Sequence, residues 1–178
     1  MTKVKVVYHS GYGHTKVQAE HVLKGISEVS GVEASIITSE EAIKDLSVFD
    51  DADCIVFGCP TYMGGPSAQF KTFIDAASKI WFKQGWKDKL AAGFTNSGSP
   101  SGDKLQTLNA LLVNAMQHGM VWVGTGLMSD SEVNRLSSYV GAMAQSLHGE
   151  KEPVEADLLT ARLFGKRIGE TAVRWAGK

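Results

Sequence analysis

Residues 4–15 impose more on the fold than any other stretch. Val4-Lys5-Val6-Val7 is a β-branched run of the kind that a parallel sheet buries, and from Lys16 onward the apolar spacing is helical. Between the two, Tyr8-His9-Ser10-Gly11-Tyr12-Gly13-His14-Thr15 supplies hydroxyls and glycines. A strand running through such a turn into a helix commits the chain to a sheet covered by helices. Gly11 and Gly13 let the backbone curl until several N–H groups point to one spot. That spot lies at the N-terminus of the following helix, where unpaired donors and the positive end of the dipole favour an anion. Ser10 and Thr15 add two hydroxyls. The stretch reads as a phosphate cup, with an ordinary glycine-rich turn as the plainer alternative.

The residues after Gly13 exclude two nucleotide motifs. A Walker A loop ends in Gly-Lys-Ser/Thr, whereas here His14-Thr15-Lys16 succeeds the glycine. A dinucleotide fingerprint needs a third glycine three residues after the second, and that position is Lys16. The remaining strand, hydroxyl-rich loop and helix resemble the phosphate loop of flavodoxins, which holds the FMN phosphate with neutral donors.

The rest of the chain alternates in the same way. Lys16 to about Val29 has Ala19, Val22, Leu23, Ile26 and Val29 on one helical face, and Ser30-Gly31 ends it. Residues 34–37 read as a second strand, 41–46 as a short helix and 54–58 as a third strand, apolar throughout and so covered on both faces. The loop Cys59-Pro60-Thr61-Tyr62-Met63-Gly64-Gly65-Pro66 comes next, then Ser67 as a cap for a helix from Ala68 to about Ile80. Trp81, Phe82 and Trp86 form an aromatic connection. Residues 90–94 read as a fourth strand, and Thr95-Asn96-Ser97-Gly98-Ser99-Pro100-Ser101-Gly102 repeats the hydroxyl-and-glycine chemistry of the first loop. A helix from Lys104 to about His118 carries Leu105, Leu108, Leu112 and Met116, and residues 120–123 make a fifth strand. Residues 124–152 are irregular, with room for a helix near 136–147. A last helix runs from about Glu155 to Trp175, with Leu158, Ala161, Gly165, Ile168, Ala172 and Trp175 inward.

Five strands alternating with helices make a doubly wound, three-layer α/β/α domain over residues 1–178, and the likeness to flavodoxins implies the strand order 2-1-3-4-5. Ligands of such sheets bind beyond the carboxyl ends of the strands at the switch point, between strands one and three. The loops after strands one, three and four therefore converge on one crevice.

Composition narrows the function further. The 178 residues are 43% apolar with a net charge of −1, which offers no field for nucleic acid or an anionic membrane. No apolar run approaches membrane-spanning length, and Met1-Thr2-Lys3 enters the first strand without a signal-peptide pattern. Two cysteines are too few for a disulfide framework, and no histidines have metal-ligand spacing. A cytoplasmic protein without a metal is expected.

Ser10-Gly11-Tyr12-Gly13-His14-Thr15, Pro60-Thr61-Tyr62-Met63-Gly64, Thr95-Asn96-Ser97-Gly98 and Gln117-His118-Gly119-Met120, in that order, resemble flavodoxin-like NAD(P)H:quinone oxidoreductases of the WrbA type, with FMN-reductase-like proteins beside them. The likeness spans nearly the whole chain. It implies non-covalent FMN, with NADH or NADPH as electron donor and a quinone or similar small molecule as acceptor. By this resemblance Ser10, Gly11, Tyr12, Gly13, His14 and Thr15 hold the phosphate. Pro60, Thr61, Tyr62, Met63 and Gly64 line the ring. Thr95, Asn96, Ser97, Gly98, Ser99, Ser101 and Gly102 wrap its other edge, and His118 lies close to it. His118, Trp81 and Tyr12 are the catalytic candidates, Trp81 matching an aromatic that in some members comes from a neighbouring subunit.

Two departures stand out. WrbA-type proteins carry an insertion after the second strand that helps to build a tetramer, whereas this chain has only residues 38–53 there, so a homodimer and a homotetramer are both compatible with it. They also often carry Arg-Phe where this chain has Tyr62-Met63, which bears on nicotinamide binding.

Several side chains have two readings. His118 either orients or protonates a quinone oxygen or is a helix-terminal histidine favoured by the dipole. His14 either bonds in the cup or faces solvent, and His9, His21 and His148 read as structural or exposed. Cys54 is packing, and Cys59 is a redox candidate without a partner thiol. Trp81, Phe82 and Trp86 read as a subunit contact or substrate gate, or else as core. For the whole chain the alternatives to a reductase are a flavodoxin-type electron carrier and a binding module that has lost its flavin.

Overall fold

The computed structural model describes residues 1–177. Parallel strands β1 (Thr2–Tyr8), β2 (Val32–Thr38), β3 (Cys54–Tyr62) and β5 (Leu90–Ser97) form the body of the sheet. The two-residue β4 (Gly65–Pro66) folds back antiparallel on β3. Beyond β5 lie β6 (Val121–Trp122) and β7 (Ala142–Gln145), giving the order β2-β1-β3-β5-β6 with β7 also on β5. The expected 2-1-3-4-5 order is therefore present.

Alternation along the strands sorts the core into two layers. Val4, Val6, Cys54, Val56, Leu90, Ala92 and Phe94 face α1 (His14–Ser27) and α6 (Glu155–Trp175), meeting Ala19, Val22, Ile26, Phe164 and Ile168. Val7, Ile55, Phe57 and Ala91 face the opposite layer, where Phe70 and Phe73 of α3 (Ala68–Ala76) and Leu111 and Ala115 of α5 (Lys104–Gln117) close over them. The short helices α2 (Ser39–Ala42) and α4 (Ser78–Phe82) complete the chain.

Several expectations need correction. The fifth strand is two pieces: Val121 and Trp122 pair with Leu90 and Ala91, and residues 142–145 pair with Phe94–Ser97 higher up. The intervening excursion is closed at its base by Thr125, whose N–H and hydroxyl donate to the carbonyls of Tyr139 and Ser138. No helix forms near 136–147; Ala142 and Ala144 complete the sheet instead, because β5 needs a partner along its whole length. Strands β3 and β5 extend into the expected loops, so Pro60, Thr61 and Tyr62 and likewise Thr95, Asn96 and Ser97 have strand geometry. The 41–46 helix is a turn at Ser39–Ala42 followed by a 3-10 turn at Leu46–Phe49. Helix α5 is rotated from the expected face, leaving Leu105 and Met116 half-exposed, and Trp175 is half-exposed with its indole N–H on the Asp88 carbonyl. Trp86 is fully buried core, stacked on Phe73.

Candidate functional site

The first wall of the site is the turn between β1 and α1. Gly13 takes φ 94°, which glycine tolerates, and its N–H and that of Lys16 both donate to Ser10 Oγ at 3.1 Å. Ser10 thus organises the donors of the first helical turn. Gly11 is required for a different reason. A Cβ there would lie 2.5 Å from the Tyr62 hydroxyl, so glycine lets the tyrosine close over the turn. His9, beneath it, is buried with Nδ1 on the Glu40 carboxylate and Nε2 without a partner.

The second wall is the hairpin of β3 and β4. Met63 (φ 48°) and Gly64 (φ 77°) are both left-handed, the requirement of a two-residue hairpin turn matched to strand twist. The hairpin sets Tyr62 edge-on to Tyr12, with ring centroids 6.3 Å apart. Below it, Thr61 Oγ1 meets Thr95 Oγ1 at 2.8 Å and Thr107 Oγ1 at 2.7 Å, tying β3, β5 and α5 together under the floor.

The third wall is the end of β5, and a fourth comes after β7. Asn96 Nδ2 donates to Ser146 Oγ, and the Ser146 N–H donates to the Ser97 carbonyl at 3.0 Å. His14 Nε2 reaches the Glu150 carbonyl at 2.9 Å, joining the first wall to the fourth. Together the walls enclose a cleft of about 610 Å³ at the carboxyl edge of the sheet.

Of the site residues read from the sequence, Tyr12, His14, Thr15, Pro60, Thr61 and Tyr62 line this cleft on one side, and Asn96, Ser97 and Gly98 on the other. Ser10, Gly11 and Gly13 shape the first wall, and Thr95 lies buried beneath the floor. Met63 and Gly64 form the hairpin tip rather than the lining, with Met63 fully exposed. Ser99 and Gly102 lie outside the lining, and Ser101 opens instead on a neighbouring cavity of about 820 Å³. Sequence reasoning missed Ser146, Leu147, His148 and Gly149, which complete the lining. Their signal, a short strand-like run ending in residues 146–149, was masked by helical spacing in the same segment.

Two catalytic candidates fall elsewhere. Helix α5 starts at the cleft edge and runs about 20 Å back, so His118 lies at the amino-terminal edge of the sheet. There it packs against Trp86, ring centroids 4.4 Å apart and tilted by 33°, and burial pulls its imidazole down to about 4. Trp81, about two-fifths exposed, shares with His118 a cavity of about 250 Å³ on that edge. Within one chain neither reaches the cleft. Cys59 is buried and burial pushes its thiol up to about 12, which weighs against the redox reading; Cys54 is buried as expected.

The cleft lining contains no carboxylate. Hydroxyls, amides, backbone N–H groups at a helix N-terminus and tyrosine rings suit an anionic phosphate joined to a neutral heterocycle, and the cleft volume suits a ligand of that size. These residues fit FMN. Among the described residues no cluster has the composition of a metal site, and no helix is long and apolar enough to cross a membrane.

Comparison with known proteins points the same way. Residues 40–134 match the family model described as NADPH-dependent FMN reductase. The chain is 41% identical to the flavodoxin FldP of Pseudomonas aeruginosa over 94% of its length and 95% of that protein's. It is 31% identical to an NAD(P)H dehydrogenase (quinone) of Geotalea uraniireducens, covering 98% and 99% of the two chains. Among solved structures, a flavodoxin, WrbA-like protein from Agrobacterium tumefaciens superposes with a TM-score of 0.80 at 43% identity, over 98% of this chain and 99% of that one.

Proposed function

The chain belongs to the WrbA-type, flavodoxin-like branch of the NADPH-dependent FMN reductase family, and from that premise we propose that it passes electrons from NADH or NADPH through FMN to a quinone or similar small acceptor. FMN is its cofactor and a nicotinamide nucleotide the donor. The observation that carries the proposal is the carboxylate-free cleft where the loops after β1, β3, β5 and β7 meet.

Bound FMN supplies hydride acceptance from the donor and two-electron delivery to the acceptor. The chain's part is to hold and orient. The α1 turn, with Ser10 and Thr15, would hold the phosphate. Thr61, its hydroxyl committed beneath the floor, and Asn96 would border the ring from opposite walls, and Tyr12 with Tyr62 would narrow the mouth through which donor and acceptor reach it. No paired carboxylates are required, and the lining offers none.

The first test is an anaerobic visible spectrum of FMN-loaded protein. Bleaching by NADH or NADPH, followed by recovery on adding a quinone, is the expected result. Bleaching by a chemical reductant alone would favour the second reading, a flavodoxin-type carrier, which the 41% identity to a protein named flavodoxin recommends. Against that reading, a net charge of −1 offers little of the acidic face by which carriers dock basic partners. In the same assay Ser10→Ala and Thr15→Val are each expected to weaken FMN binding about tenfold, the worth of one hydrogen bond to a charged group. Unchanged affinity in both would remove the turn from the site.

We assign the exposed Trp81 to the cofactor of a neighbouring subunit, in a homodimer or homotetramer, with the buried His118 behind it. Phe82, largely exposed beside Trp81, suits such a contact. Trp81→Ala should lower quinone turnover severalfold while FMN affinity stays within about twofold. The reverse pattern would make it a structural residue.

A further inference from the structure

We propose that Lys104 sets the reduction potential of the bound cofactor, as a buried cation held behind the cleft wall at the end of β5. The proposal rests on the FMN reading above.

Lys104 opens α5 and is fully buried. Its ammonium gives its three protons to Ser97 Oγ at 2.9 Å, to the Ser99 carbonyl and to the Pro100 carbonyl at 3.0 Å. All three acceptors are neutral. The charged groups that face it are Asp157 of α6 and Arg135 of the excursion between β6 and β7. Those two are committed to each other at 2.7 Å, and Asp157 also accepts the Gln145 N–H. The three groups together therefore leave one positive charge over.

An ammonium buried without a carboxylate at contact is costly, and here burial draws its proton affinity down to about 8. A neutral amide could satisfy two of the same acceptors without that cost. The charge is thus more than a staple for residues 97–100. Ser97 lines the cleft, so the ammonium stands one hydroxyl behind the wall. It stands on the ring side: β5 lies two strands from β1, about 10 Å from the turn that takes the phosphate. Two-electron reduction leaves a flavin ring anionic at neutral pH. A cation fixed in a low-dielectric wall favours that state over the oxidised one, and so raises the potential.

The experiment is spectroelectrochemistry of FMN-loaded wild type, Lys104→Gln and Lys104→Arg, with the dissociation constant of oxidised FMN measured alongside. In Lys104→Gln the preference for reduced over oxidised FMN should fall about tenfold, a midpoint potential about 30 mV more negative for a two-electron couple. Affinity for oxidised FMN should change far less, and Lys104→Arg should recover most of the shift. In wild type the potential should steepen with pH above about 8, where the oxidised protein loses the lysine proton, and this break should be missing from Lys104→Gln. An unchanged potential overturns the proposal, and so does an equal loss of affinity for both oxidation states, which marks a staple or a phosphate contact. If Lys104→Gln does not fold, the wild-type pH profile decides alone, and a profile without the break overturns it. Wild type that binds no FMN fails earlier and removes the cofactor reading itself.

Discussion

Gly25→Ala is expected to cost about 3 kcal/mol of folding stability, although alanine is the better helix former. A Cβ at Gly25 would stand 1.8 Å from the Arg162 carbonyl oxygen and 2.8 Å from the Lys166 nitrogen, both backbone atoms of α6. The facing glycine repeats the constraint, since a Cβ at Gly165 would stand 2.1 Å from the Val22 carbonyl oxygen of α1. No side-chain rotation relieves either contact. The helices must part, and Ala19, Val22, Ile26, Phe164 and Ile168 lose packing between them. The gain of about 1 kcal/mol in helix propensity opposes this and is outweighed. Helix α1 also carries at its N-terminus the turn proposed to hold the phosphate, so FMN affinity should fall with stability. Urea denaturation of the apoprotein measures the first effect, and an unchanged midpoint would mean that the helices separate without cost.

Gly25 also shows what a sequence conceals. Read along one helix it is a residue near a C-terminus, and only the crossing with α6 gives it a reason. The pattern of local signals was otherwise sufficient for the layers. The β-branched run at residues 4–7, the apolar run at 54–58 and helical spacing at 16–29 and 155–175 marked the strands and the helices that cover them. Glycines and hydroxyls after β1, β3 and β5 marked three walls of the cleft. The fourth escaped because the edge strand is broken. Residues 121–122 and 142–145 satisfy β5 in turn, and neither piece is long enough to show alternation. Distance across the sheet was equally invisible. His118 caps a helix whose start is at the cleft, and a helix of 14 residues carries its end to the far edge.

That displacement makes His118 the source of a pH effect instead. Acidification from pH 7 towards 4 should cost up to about 3 kcal/mol of stability through this one residue. The residue is 2% exposed, packs tilted against Trp86 and leaves Nδ1 without a partner, so burial holds the folded-state value near 4 against an ordinary 6.5. The C-terminal end of α5 pulls the other way, favouring the cation by a smaller amount. A histidine lowered on folding binds its proton more readily in the unfolded chain. Stability is therefore intact above about 6.5 and lost as the pH falls towards 4. Asp157, raised by burial, contributes with the opposite sign over the acid end, which is why the comparison must be between variants. In His118→Phe, which keeps a ring on Trp86, the difference in urea stability between pH 7 and pH 4.5 should shrink by about 2–3 kcal/mol. An identical pH dependence in both proteins would show that the imidazole does not titrate in this window. The same burial keeps the imidazole neutral at pH 7, without a second proton to deliver.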